Sequence, residues 1–416
     1  MRHRQPFKGR LGAGGTKHEP AVWLRRRHWP APTGELAVSS LLDVYPRLPL
    51  KLVSARGCWL KTDAGRSLLD LYGGHAVSPL GHAHPELHGA LIAAHDTVDF
   101  YSNSVHMPIQ ERAASAALAD SQHLSWAHFV NSGTEANEAA LHLARRFTSR
   151  TCVVSFDCSF HGRSLGSLAV TGIEGYRKRL SVETPPNWRR GIRFGNRADL
   201  ERIDDSVAAV ICESIPSIAG VLMPPEGWYP ALAARCREVG ALLIFDEVQG
   251  GVGRCGRWFA HQLFGVEPDL VTLAKGLGGG FPVGAVLGNP ELARWIGHGE
   301  LGTTFGGGPM ACAMICAVSN IIQREQLIER NRCTFQRIHG ALSPLPGVSV
   351  RGAGALIGLE TPLPASELRQ RLLSRSVVVG SSGQPNTVRL LPPYVLSEEE
   401  LELGISAIID ALGEPS

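Results

Sequence analysis

The residues that could do chemistry in this chain are few. Of 41 basic residues only six are Lys, at positions 8, 17, 51, 61, 178 and 275, so Arg fills almost every other cationic position. Arg cannot usefully deprotonate, whereas a Lys amine lowered in pKa by burial can attack a carbonyl and form an imine. Lys275, in LAKGLGGGFPVGA, ends a short apolar run and precedes a Gly-rich turn, a position suited to such an amine; a chance surface Lys is the alternative. Asp246 and Glu247 close the apolar run of LLIFDEVQGGVGR. An Asp there could hold magnesium for a nucleotide hydrolase, but that chemistry needs a GxxxxGK[ST] loop, and the dipeptide GK does not occur. An Asp at the bottom of a pocket can instead keep a proton on a heteroaromatic nitrogen.

The segment FVNSGTEANEAALHLARRF reads as strand, turn and helix. Ser132 and Glu135 match a capping box, and Ala136, Ala139, Ala140, Leu143 and Ala144 form a small apolar face. A Ser-Gly-Thr turn at a helix start offers N–H groups at the positive end of the helix dipole, which suits a phosphate, although many caps bind nothing. A phosphate cradle, an Asp at one strand end and a single Lys at the next describe together a site for pyridoxal phosphate, which needs an anchor, a partner for its ring nitrogen and an imine-forming amine.

The elements that must hold these residues are legible. Cys152–Phe156, Val207–Cys212, Ala241–Phe245 and Leu270–Leu273 are continuous apolar runs without period-2 alternation, as expected of strands buried on both faces inside a parallel α/β sheet. Ligands of such sheets gather beyond the carboxyl ends of the strands, which points to Phe160, His161, Glu213, Asp246, Glu247 and Lys275. Arg351 to Glu360 and Val377 to Pro393 read as short strands and Glu398 to Leu412 as a closing helix. At 416 residues the chain exceeds the roughly 250–300 at which one core stops growing. The predicted division is a basic, disordered extension over 1–35, an N-terminal segment over 36–75 packing on the small domain, a large cofactor domain over 76–308, and a small α+β C-terminal domain over 309–416.

Charge and composition exclude several classes. Residues 1 to 30 hold eight basic residues against Glu19, a local charge of +7, while the remainder carries −4. A mildly acidic body gives no electrostatic reason to bind nucleic acid. The basic lead is interrupted by Gly and Pro and reads as an unstructured extension, with a transit peptide as the alternative. No apolar run reaches the roughly 18 residues of a membrane span, so a cytoplasmic protein is expected. Nine scattered Cys without a CxxC pair disfavour a metal or disulfide framework.

Seven motifs in order, YPRLPL, GGHAVSPLGHAHP, NSGTEAN, SFHGRS, IFDEVQ, LAKGLGGGFPVGA and GTTFGGGP, make the chain resemble the class III (ω-amino-acid) aminotransferases of fold type I, nearest the acetylornithine aminotransferase group. The resemblance covers nearly everything from about residue 40 onward. It implies that Gly133 and Thr134 bind the cofactor phosphate, Phe160 stacks on the ring, Asp246 pairs with its nitrogen with Glu247 beside it, Val248 packs the other face and Gln249 contacts the phenolic oxygen. Lys275 would carry the cofactor and move the substrate proton. Thr304 would reach the cofactor of a neighbouring subunit, implying a homodimer with shared sites, and Thr303 would lie near substrate. Arg163 and Arg389 match the carboxylate-binding arginines, a role that suits a planar guanidinium.

The implied reaction moves the terminal amino group of N-acetylornithine, or a close N-acyl diamino acid, to 2-oxoglutarate. Departures bear on the substrate. Where the family usually reads EPIQGEGGV this chain has ESIPSIAGV from Glu213, so Ile218 replaces an acid thought to pair with the C-terminal arginine, and Arg389 is expected to stay uncovered. His75, Gly250 and Gly308 also depart from the usual residues. The alternatives are another ω-aminotransferase, acting on succinylornithine, ornithine, 4-aminobutyrate or a pathway-specific amine, and a non-catalytic cofactor-binding homologue.

Overall fold

A computed structural model describes residues 40–119, 121–178 and 187–414; the basic extension expected over 1–35 lies outside them. Residues 40–50 carry no helix or strand. Within Lys51–Ser416, the centre is a seven-stranded sheet: β1 (Trp126–Val130), β2 (Cys152–Phe156), β3 (Arg189–Ile192), β4 (Val207–Glu213), β5 (Leu242–Asp246), β6 (Leu270–Leu273) and β7 (Gly284–Gly288). Their spatial order is β1-β7-β6-β5-β4-β2-β3. Only β7 runs antiparallel to its neighbours, and the other pairings are parallel. Every residue of β2, β4, β5 and β6 is buried, as their unbroken apolar runs require of strands covered on both faces.

Two of these strands run one residue further than their apolar stretches. Glu213 ends β4 and Asp246 ends β5 as ladder residues, directly paired in register, and Asp246 in turn pairs with Thr272 of β6. Backbone hydrogen bonding continues past the point where hydrophobicity stops, which places two carboxylates side by side on neighbouring strands.

Helix α1 (Gly133–Thr148) crosses the sheet and buries Ala136, Ala140, Leu141, Leu143 and Ala144 against it; Ala139 is only partly buried. The expected capping box is half formed. Ser132 Oγ accepts from the Glu135 N–H at 3.2 Å, but the Glu135 carboxylate takes the N–H of Asn131 at 2.8 Å, one residue before the cap. Helix α2 (Pro309–Arg324) places Ile315, Val318 and Ile322 in the main core.

A second core lies between smaller sheets. Ser349–Ala353 and Leu356–Glu360 form a hairpin extended by Thr387–Leu390 and Gly380–Ser381. Val377–Val378 leaves that sheet and pairs in parallel with Ser67–Asp70, so residues from both ends of the chain share one ladder. The closing helix, Glu398–Gly413, starts with a reciprocal capping box between Ser397 and Glu400 and packs Leu401, Ile405 and Ile408 into this core. All nine cysteines are free thiols. Among the described residues no helix is long and apolar enough to cross a membrane.

Candidate functional site

The carboxyl ends of β1, β4, β5 and β6 meet at a cavity of about 470 Å³ whose walls include Ser132, Gly133, Thr134, Phe160, Asp246, Val248, Gln249 and Lys275. Lys275 follows β6 and opens a one-turn helix, with the uncommon backbone angle φ 48°. A non-Gly residue held there signals a position fixed by its surroundings. Burial disfavours the ammonium and pushes its pKa down to about 8, against the opposing pull of Asp246 and Glu213. The amine is thus brought close to neutrality, which a nucleophile and proton carrier requires.

Asp246 is fixed from three sides. Its Oδ2 accepts from Asn137 Nδ2 at 2.7 Å and lies 2.8 Å from His161 Nδ1, and its Oδ1 accepts from the Val248 N–H at 3.1 Å. Asn137 is itself held, donating to the His161 carbonyl at 2.7 Å and accepting from Thr272 Oγ1 at 2.7 Å. His161 was among the residues expected beyond a strand end; Asn137 was not, and does not stand out by composition. The available signal for Asn137 was register, since it lies one turn into α1.

Glu213 is the second acid of the cavity. It is 8% exposed, and its oxygens accept from the N–H groups of Phe160 at 2.8 Å and Ser217 at 3.4 Å. Burial first, and the neighbouring Asp246 charge second, push its pKa up to about 7.

Two glycines show how closely the walls approach. A side chain at Gly133 would put its Cβ 2.7 Å from Val248 Cγ1, and one at Gly162, with φ +137°, would meet Thr134 Oγ1 at 2.2 Å. The turn that starts α1 can therefore be neither bulkier nor moved outward.

The other expected residues take different places. Glu247 turns away from the cavity: its carboxylate accepts from Ser214 Oγ at 3.0 Å, from the Ala260 N–H at 2.6 Å and from the His261 N–H at 2.7 Å. Arg163 is exposed and lies over the rings of Phe160 and Tyr176, at 5.9 and 5.4 Å. Thr303 Oγ1 accepts from Asn131 Nδ2 at 3.0 Å, and Thr304 is exposed. Arg389, expected to stay uncovered, is 5% exposed and held through four of its five N–H groups by neutral acceptors: Ser381 O at 2.6 Å, Ser217 Oγ at 3.1 Å, Tyr72 Oη at 3.1 Å and Gln249 Oε1 at 3.2 Å. The missing acid is replaced by hydroxyls and an amide, because a buried guanidinium must find acceptors of some kind. His75 contributes its carbonyl, which accepts from Gln249 Nε2 at 3.0 Å.

A family model described as Aminotransferase class-III matches residues 43–412. The chain belongs to the class III aminotransferases. Among its relatives, acetylornithine aminotransferase 1 of Bordetella bronchiseptica is 37% identical over 380 residues, covering 88% of this chain and 95% of its own. Acetylornithine aminotransferase of Methanopyrus kandleri is 38% identical over 376 residues, covering 89% and 96%. Of the solved structures, the ornithine aminotransferase of Toxoplasma gondii matches with a TM-score of 0.84 at 24% identity over 90% of this chain and 92% of its own, a likeness of fold. An (S)-enantioselective omega-transaminase of Thermomicrobium roseum matches at 0.81 and 27% identity over 90% and 97%.

This class III aminotransferase has the type I fold, acts on small amino and oxo acids, and works with pyridoxal phosphate. Its cavity fits that cofactor chemically. A buried carboxylate suits a protonated ring nitrogen, a desolvated amine suits imine formation, and the start of α1 offers N–H groups where only Gly133 can stand.

Proposed function

We propose that this aminotransferase moves the terminal amino group of N-acetylornithine, or a close N-acyl diamino acid, to 2-oxoglutarate, giving the semialdehyde and glutamate. The observation that carries the chemistry is the convergence of Lys275, Asp246 and the Ser132–Thr134 turn on one cavity. The acetylornithine aminotransferases among its relatives, at more than a third identity over nearly their full lengths, support this donor.

In this reading Gly133 and Thr134 hold the cofactor phosphate, Phe160 and Val248 the two ring faces, and Asp246 the ring nitrogen. Bound there, the cofactor supplies a cationic ring that draws electrons from the amine-bearing carbon. Lys275 Nζ takes the proton from that carbon and returns it, a task suited to an amine whose pKa lies near the operating pH. Arg163 and Arg389 grip substrate carboxylates, Arg389 by exchanging Gln249 or Ser217 for the incoming oxygen. Thr304, which is exposed, serves the site of a second copy, so that the working form is a cytoplasmic homodimer.

A second reading, another ω-aminotransferase with a different terminal amine, is favoured by Ile218, which puts an aliphatic side chain on the cavity wall. Single-turnover addition of acetylornithine, succinylornithine, ornithine and 4-aminobutyrate, followed by absorbance, separates the two. Acetylornithine should convert the cofactor fastest, and 2-oxoglutarate should restore it. A preference for free ornithine of more than about tenfold in kcat/KM, roughly 1.4 kcal/mol, overturns the donor assignment.

A further inference from the structure

Residues Gly73–Ala76 form one turn of helix of the uncommon hand. Their φ angles are 52°, 56°, 70° and 65°, and the ψ angles of Gly74 and His75, 49° and 36°, complete the left-handed helical geometry. The turn carries its own hydrogen bonds: the Ala76 N–H donates to the Tyr72 carbonyl at 3.1 Å and the Val77 N–H to the Gly73 carbonyl at 2.8 Å, each across the four-residue spacing of a helix. Residues other than Gly enter this region singly, because Cβ crowds the following carbonyl oxygen. His75 and Ala76 occupy it in succession, so the surroundings hold the turn against a steric cost. Ala76 is 3% exposed and packs in a small core with Leu391 and Cys255.

Asp70, the last residue of the strand Ser67–Asp70 and 1% exposed, supplies the holding group. Its Oδ1 accepts from the N–H groups of Tyr72 and Gly73, both at 2.9 Å, and these are donors that the start of a helical turn leaves without a partner of its own. Its Oδ2 lies 3.0 Å from His82 Nε2, and an ionised carboxylate can only accept there. His82 is tied in turn to Gly57 by a reciprocal pair of backbone hydrogen bonds at 2.8 and 2.9 Å. Both carboxylate oxygens are therefore fixed, and with them the start of the turn.

The turn delivers two groups to one guanidinium. Tyr72 Oη accepts from Arg389 Nη2 at 3.1 Å. The His75 carbonyl accepts from Gln249 Nε2 at 3.0 Å, and Gln249 Oε1 accepts from Arg389 Nη1 at 3.2 Å. We propose that Asp70 is a positioning residue for the substrate carboxylate: by holding the left-handed turn it sets Tyr72 and His75 against the Arg389–Gln249 pair. The inference rests on the reading that Arg389 grips the oxo acid. Asp70 acts through the turn and is not on the wall that holds Lys275, so its loss should weaken carboxylate binding and leave proton transfer alone.

The test is steady-state kinetics of the cofactor-loaded enzyme with 2-oxoglutarate varied, on Asp70→Ala, Asp70→Asn and Arg389→Gln. Asp70→Ala should raise the KM for 2-oxoglutarate about tenfold with kcat and the cofactor dissociation constant within about twofold of wild type. Asp70→Asn keeps an acceptor oxygen for the Tyr72 and Gly73 N–H groups and should bring KM back to within about twofold, a rescue that loss of general packing would not show. Should Asp70→Ala fold poorly, His82→Phe removes the partner of Oδ2 while keeping a ring, and KM should rise about threefold at unchanged kcat. If Arg389→Gln raises KM and neither Asp70→Ala nor His82→Phe does, or if they lower kcat and leave KM alone, this inference is overturned and the reading of Arg389 stands. If Arg389→Gln itself leaves KM unchanged, the reading of Arg389 falls and this inference with it.

Discussion

Gln249 ties Arg389 to the backbone of His75: its Oε1 accepts from Arg389 Nη1 at 3.2 Å while its Nε2 donates to the His75 carbonyl at 3.0 Å. With Ser217 Oγ on the same guanidinium nitrogen, the arginine is clamped by neutral groups that a substrate carboxylate can displace without expelling another charge.

That clamp predicts what an acid would do. Ile218 follows Ser217 and lines the cavity, so Ile218→Glu places a carboxylate where it competes for Arg389. The KM for 2-oxoglutarate should rise about tenfold, with a smaller change in the half-reaction of the amino donor. Steady-state kinetics with each substrate varied in turn checks this; an unchanged KM would show that Arg389 does not receive the oxo acid.

Asp246 should depend on the residues that hold it. Asn137→Leu removes a 2.7 Å donor from Oδ2 and leaves Thr272 Oγ1 without its acceptor. A loss of about 10- to 100-fold in kcat or cofactor affinity is expected, as for other outer residues that orient a working group. His161→Asn should cost less, since it can keep a donor near Oδ2. Measuring the cofactor dissociation constant beside kcat separates mispositioning of Asp246 from general destabilisation, and a variant that changes only thermal stability would sink the idea.

Much of this was readable in the sequence, and the reason is physical. The strands β2, β4, β5 and β6 are buried on both faces, so apart from the hydroxyls of Ser155 and Thr272 they are apolar, and the first charged residues, Glu213 and Asp246, mark where β4 and β5 reach the cavity. Lys275 was visible because so few other lysines compete with it. What could not be read was direction. Asp246 and Glu247 are adjacent, yet one faces the cavity and the other His261, and only the backbone turn after β5 decides which. Nor could the partners of Arg389 be found without the structure, since Tyr72, Ser217, Gln249 and Ser381 come from four separate segments.

The two displaced titrations give opposite slopes of stability with pH in the cofactor-free protein. Glu213 is raised to about 7 from 4.5, so the folded state holds its proton longer than the unfolded chain, and stability falls as pH rises between those values. Lys275 is lowered to about 8 from 10.5, so the unfolded chain holds the extra proton and stability rises with pH across that window. Each slope is at most about 1.4 kcal/mol per pH unit for one proton. Denaturant unfolding across pH should show Glu213→Gln flattening the lower window and Lys275→Met the upper one; a variant that leaves its window unchanged refutes the assignment.

The cradle at the start of α1 can be tested by filling it and then making room. In Gly133→Ala the new Cβ would sit 2.7 Å from Val248 Cγ1 and 2.8 Å from Cγ2, closer than carbon atoms approach, so either the turn or Val248 must move. Both line the cavity, so cofactor affinity should fall by about tenfold or more while the fold survives, because the clash lies at the cavity wall and outside the packed core. Val248→Ala removes the two methyl carbons that the new Cβ meets. The double variant should then bind cofactor more tightly than Gly133→Ala alone, a coupling of the kind expected only between residues in contact. Spectroscopic titration of the four proteins with pyridoxal phosphate gives the cycle directly. Additive losses would mean that the glycine is required for its backbone rather than for its nearness to Val248.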